Sequence, residues 1–155
     1  MKTREHTTEI IIHHSVSADT TTVQDITKWH KERGFLNIGY QEVIFKKEGA
    51  WDFEEGRDVA AVGAHCYGYN RTSIGICICG NYERDELCTE AFELLAERIA
   101  YYRNEYDIPA HRVYFHGEVA TTLCPGRNIT KIKTELIRES NQISTILVLG
   151  KELKL

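Results

Sequence analysis

Three consecutive isoleucines, Ile10-Ile11-Ile12, stand between Glu9 and the pair His13-His14. A short run that is β-branched and apolar at every position suits a strand covered on both faces. Such a strand needs layers on each side of its sheet, and the rest of the chain supplies them. The run itself predicts a strand over residues 8–13. Thr21 and Gln24 have the spacing of a capping box, Val23, Ile26 and Trp29 form an apolar stripe, and Gly34 ends the helix they predict. Residues 42–47 and 50–54 predict a hairpin that turns at Glu48-Gly49. A glycine-rich loop spans 56–72. A strand over 73–79 follows, in which Ile74, Ile76 and Ile78 alternate with Gly75, Cys77 and Cys79. Phe92, Leu95, Ala96, Ile99 and Tyr102 mark the inner stripe of a helix over 90–106. Residues 113–115 predict a short strand, and 128–139 an amphipathic helix with Ile129, Ile132 and Leu136 inward. Residues 143–149 predict a final strand. Strands interleaved with helices predict one α/β domain over 1–155, a central mixed β-sheet flanked by helices.

A chain of 155 residues suits a single domain. Its 42% apolar and 27% charged residues exclude a disordered or low-complexity polymer. The formal net charge of −4 gives no basic footprint, so nucleic acid is not an expected partner. No stretch is apolar enough to predict a membrane span, and the first residues lack the apolar centre of a secretory signal. The expectation is a protein that is cytoplasmic on synthesis. The five cysteines are odd in number and form no disulfide framework. Reduced thiols are expected, one of them free to ligate a metal.

Three features carry chemistry. His13-His14 closes the first strand, where a sheet presents polar groups to a ligand. Solvated side chains at a strand end are the alternative. His116 follows the strand over 113–115, Cys124 lies eight residues on, and Pro125-Gly126 turns the chain into the next helix. Neutral imidazole and thiolate are both zinc ligands, whereas a lone cysteine is more commonly a small buried hydrophobe. With His13 added, His116 and Cys124 make a three-ligand set, which leaves a fourth zinc position open as catalytic sites do. Tyr40, after Gly39 at the head of the hairpin, could donate a hydrogen bond to a developing oxyanion. A structural aromatic at the sheet edge is the alternative there.

Five segments occur in one order: Ile-Ile-His-His-Ser, Gly-Tyr-Gln-Glu-Val-Ile-Phe, Gly-Ala-His-x4-Asn, Ser-Ile-Gly-Ile and His-Gly-Glu-Val-x4-Cys-Pro-Gly. Together they resemble the zinc-dependent N-acetylmuramoyl-L-alanine amidases, which include short phage lysozyme-amidases and animal peptidoglycan recognition proteins. The resemblance covers residues 8–138 and leaves 140–155 as a C-terminal extension. Trp29-His30-Lys31-Glu32 through Gly39-Tyr40, and Gly68-Tyr69-Asn70, look closest to the phage branch. The resemblance implies one Zn2+ on His13, His116 and Cys124, catalytic roles for Tyr40 and Thr122, and substrate contacts from His30, His65 and Asn70. Two positions depart from the pattern. Thr122 stands where many phage members have lysine, and Gln41 where histidine or asparagine is common, a change expected to alter packing or local polarity but not the chemistry. Adjacent strand residues face opposite ways, so His14 is expected beside the metal but not on it. Glu118 is expected to organise the ligand loop or the next helix, and Cys66, Cys77, Cys79 and Cys88 to be structural thiols.

The implied reaction is hydrolysis of the amide between N-acetylmuramic acid and L-alanine in peptidoglycan. The implied setting is a phage or prophage endolysin that reaches the wall once a holin-type partner opens the membrane. The alternatives are a peptidoglycan-binding protein without activity, a cytosolic amidase that recycles muropeptides, and a structural zinc domain. Cys124 favours an enzyme, because non-cutting members typically lack that ligand.

Overall fold

The computed structural model describes residues 1–153. Its strands are β1 (Glu9–His14), β2 (Glu42–Lys47), β3 (Ala50–Glu55), β4 (Ser73–Ile78) and β5 (Val113–Phe115). Its helices are α1 (Val23–Glu32), α2 (Thr89–Tyr106), α3 (His116–Val119), α4 (Arg127–Thr130) and α5 (Lys133–Leu153). The strands form one sheet in the order β3-β2-β4-β1-β5. β1 pairs in parallel with β4 and β5, β2 in parallel with β4, and β3 antiparallel with β2. The sheet is therefore mixed, as the interleaved pattern predicts.

The isoleucine run is covered on both faces, with Ile10, Ile11 and Ile12 fully buried. Ile10 and Ile12 join Ile74, Ile76 and Ile78 against Leu95, Ile99 and Leu136 on the α2–α5 side. Val43, Phe45, Cys77 and Cys79 point the other way and pack with Val23 and Ile26 of α1. Each such side chain contributes roughly 1.5–3 kcal/mol on burial. A charged group also lies under α2. Glu42, only 2% exposed, accepts from Arg98 Nε at 3.1 Å and Nη2 at 2.8 Å, and from the Tyr102 hydroxyl at 2.8 Å. A carboxylate so deep is tolerated only when its oxygens are paired.

Four details differ from the sequence reading. The capping box sits one residue on: Asp25 N donates to Thr22 Oγ1 at 3.1 Å and Thr22 N to Asp25 Oδ2 at 2.9 Å. Thr21 instead donates to Ser17. Trp29 is 41% exposed, because the inward stripe continues through His30, at 6%. The stretch 128–139 is not one helix: α4 ends at Thr130, and α5 begins at Lys133 after a turn. The strand expected over 143–149 is the second half of α5. Its β-branched run reads as a strand, but its neighbour is the helix α2. Leu136, Ser140 and Ile143 recur at helical spacing, and Arg103 Nη1 donates to Ser140 Oγ at 2.9 Å and Asn141 Oδ1 at 2.6 Å.

Candidate active site

The register of the sheet builds the site. Ile12 pairs with Phe115 across β1 and β5. The next residues, His13 and His116, therefore emerge side by side at the carboxyl ends of parallel strands, where open α/β sheets hold ligands. Their ring centroids are 4.4 Å apart. The segment after α3 returns Cys124 to the same spot, held by a Gly117 N–H donated to the Cys124 carbonyl at 2.8 Å. One ligand atom each from His13, His116 and Cys124 lies within 4.8 Å of the others.

Two imidazoles and a thiol are a donor set that zinc favours. Bonds of about 2.0–2.3 Å at tetrahedral angles would set two donors about 3.5 Å apart. His13 Nδ1 and Cys124 Sγ are 3.8 Å apart. Burial lowers the pKa of both histidines, so their rings are neutral with a bare nitrogen to offer. Burial also pushes the Cys124 thiol up to about 12, while the His14 N–H donated to its sulfur at 3.3 Å acts in the other direction. A divalent cation held there would invert that balance and favour the thiolate. The residues fit the metal. His14 turns to the other face, where its Nδ1 accepts from Tyr82 N at 3.1 Å, so the adjacent pair divides as strand geometry requires.

A cleft of about 830 Å³ opens over these three residues. Tyr40, Thr122, His30, His65 and Asn70 all line it. The Tyr40 ring lies 5.0 Å from that of His13 and 5.3 Å from that of His30. Burial first, then the nearby Cys77 and Cys124, raises its pKa well above the usual tyrosine value, so the phenol keeps its proton. His30 Nδ1 accepts the Gly39 N–H at 2.9 Å and so anchors the turn that carries Tyr40. Gly39 also passes so close to the 64–65 loop that a Cβ there would fall 2.0 Å from the Ala64 carbonyl oxygen. Thr122 is exposed, and its Oγ1 accepts from Cys124 N at 3.2 Å, which leaves the hydroxyl proton free to donate.

Asn70 organises the loop beside His13: its Oδ1 accepts from His65 N at 2.8 Å and Cys66 N at 2.9 Å. His65 has both ring nitrogens within reach of the protein, Nδ1 with His13 Nε2 at 2.9 Å and Nε2 with Ser73 Oγ at 3.2 Å. Burial lowers its pKa to about 3. Gln41 is fully buried, where it accepts from Gly75 N and donates to the Ala61 carbonyl. Glu118 accepts from Phe115 N at 2.7 Å and pairs with Lys133, which organises the start of α3. Cys66, Cys77 and Cys79 are buried free thiols. Cys88 is not: it is exposed at the N-cap of α2 and its side chain makes no capping bond. Sequence reasoning passed over Ser73, Tyr67 and Leu123. Tyr67 and Leu123 line the cleft although 98% and 74% exposed. An exposed apolar side chain in a loop carries no periodicity that would mark it.

The family model described as N-acetylmuramoyl-L-alanine amidase matches residues 3–127. The chain belongs to the N-acetylmuramoyl-L-alanine amidase family. The amidase is 35% identical over 145 residues to the endolysin of Escherichia phage T7, covering 88% of this chain and 93% of the phage protein. It is 33% identical over 131 residues to peptidoglycan-recognition protein SC2 of Drosophila melanogaster, covering 77% of this chain and 68% of that one. Among solved structures, the endolysin amidase LysCS from Clostridium intestinale superposes with a TM-score of 0.74 at 33% identity, over 84% of each chain. The activity of this chain is that of the family, hydrolysis of the muramoyl–L-alanine amide of peptidoglycan. Among the described residues no helix is long and apolar enough to cross a membrane.

Proposed function

We propose that the amidase works with one zinc ion held by His13, His116 and Cys124, and that it serves as an endolysin. The observation that carries the metal assignment is the convergence of three ligand atoms within 4.8 Å at the floor of the cleft. Held by these three residues, zinc would supply an activated water near neutral pH and polarisation of a carbonyl. The chain's own groups do the rest. Tyr40 keeps its proton at working pH and donates it as a hydrogen bond to the scissile carbonyl oxygen as negative charge grows there. Thr122, which lines the same cleft, adds a second, uncharged donor where many phage relatives would bring a lysine. The imidazole of His30 holds the Tyr40 turn, and Asn70 holds the loop of His65.

His30, His65 and Asn70 meet the stem peptide with the parts of their side chains that face the cleft. The endolysin role is supported by likeness to the T7 and Clostridium proteins. Peptidoglycan is then the macromolecular substrate, and a membrane-opening partner of the holin type gives the enzyme access to it. Purified protein offered isolated cell walls and, separately, soluble muramoyl-peptides tests this role. An endolysin releases stem peptides from the wall at a rate comparable to that on soluble substrate. Cleavage confined to the soluble substrate identifies a recycling amidase, and zinc-loaded protein that cuts neither is a binding protein.

A further inference from the structure

Resting on the zinc assignment above, we propose that His65 is a positioning residue that, through Ser73, fixes the tautomer in which His13 meets the metal. Ser73 Oγ donates to the Tyr69 carbonyl at 2.7 Å, and a carbonyl can only accept. That uses the single hydroxyl proton. Ser73 Oγ is also 3.2 Å from His65 Nε2, so there it accepts, and His65 carries its proton on Nε2. A neutral imidazole has one N–H, so His65 Nδ1 is bare. His13 Nε2, 2.9 Å from that bare nitrogen, must donate. The proton of His13 is thereby held on Nε2 and its Nδ1 is left bare. Nδ1 is the atom 3.8 Å from Cys124 Sγ.

The packing around His65 holds the plane of the ring in which these hydrogen bonds are made. The His65 ring lies in a slot cut from two strand and loop glycines. A Cβ at Gly75 would fall 2.6–2.7 Å from three atoms of the ring, and one at Gly63 would fall 2.7 Å from its Cδ2. Asn70 fixes the His65 and Cys66 amides at the base of the same loop. Backbone, glycine slot and Ser73 together leave the ring one orientation, with Nδ1 toward His13. A metal-binding histidine whose second nitrogen is oriented this way has its ring angle and tautomer set before the ion arrives.

The role differs from substrate contact, because it predicts an effect on the metal when no substrate is present. The test uses histidine-labelled protein and two readouts, the nitrogen shifts of the imidazoles and the zinc dissociation constant by chelator competition. In the wild type, His65 and His13 should both be protonated at Nε2. Ser73→Ala, which touches no ligand, should let His65 adopt both tautomers and weaken zinc about tenfold. His65→Phe should weaken it by roughly ten- to a hundred-fold. His65→Asn should recover much of the loss, since its Oδ1 can accept from His13 Nε2 near the place of the lost nitrogen. A wild-type His65 protonated at Nδ1 overturns the proposal, and so does wild-type zinc affinity in both Ser73→Ala and His65→Phe. If Ser73→Ala does not fold, the wild-type spectrum and the His65 pair decide. A wild type that binds no zinc refutes the metal assignment and this role with it. Wild-type zinc binding with unaltered affinity in the variants refutes this role alone.

Discussion

His13 Nδ1 and Cys124 Sγ face each other at 3.8 Å although 111 residues separate them in sequence. Two features of the fold make the meeting. Parallel pairing of β1 with β5 brings the carboxyl ends of both strands to one edge, and the segment after α3 then folds back to that edge. The His14 N–H donated to Cys124 Sγ ties the returning segment to the strand it faces.

Cys124→Ala removes the only sulfur ligand of the proposed set. The variant should fold and lose both stoichiometric zinc and hydrolysis. Metal analysis of the purified protein checks it, and retained zinc would rule out the ligand set.

Tyr40→Phe removes a hydrogen-bond donor and little volume. Loss of one oxyanion donor costs on the order of a hundred- to a thousand-fold in turnover. The variant should bind zinc as the wild type does and turn over slower by about that factor. Turnover equal to the wild type would take Tyr40 out of the mechanism.

His30 gives a pH dependence with a definite sign. Burial, then the nearby Arg33 and Arg57, lowers its pKa from 6.5 to about 4, so the folded state holds it neutral while the unfolded chain binds a proton first. Its contribution is fully present above pH 6.5 and is lost as the pH falls from there toward 4. Protonation would also remove the acceptor of the Gly39 N–H. Urea unfolding between pH 8 and pH 4 should show His30→Asn losing less stability over this window than the wild type, because an amide oxygen accepts without titrating. Parallel pH profiles would contradict the assignment.

Glu42→Ala breaks a buried pair beneath α2 and strands Arg98 and Tyr102. Loss of one partner of such a pair costs about 3–5 kcal/mol. Thermal unfolding should report a clear drop in Tm, while the variant still binds zinc below that temperature.

Much of this was legible in the residues. The three isoleucines, the alternation in β4 and the stripe of α2 depend on local periodicity, and the structure places them as read. The C-terminal half of α5 was not legible. A β-branched stretch such as 143–149 has no local preference strong enough to decide its state; it continues a helix that rests on α2 through Ile143 and Ser144, while Ile146, Leu147, Val148 and Leu149 are exposed. Trp29 and His30 show the same limit on a smaller scale. A one-residue difference in the inward stripe exposes the tryptophan and buries the histidine. The meeting of His13, His116 and Cys124 was legible because strand ends and motif order point to one place. Ser73 was not, because its role depends on a hydrogen bond to a loop eight residues away.

The most direct test of the account is mass spectrometry of a defined muramoyl-peptide incubated with the purified protein, with chelator, and with zinc restored. The account predicts free stem peptide bearing a new L-alanine amine, its loss with chelator and its return with zinc. Cleavage that survives complete removal of the metal, or cleavage at any other bond, would contradict it.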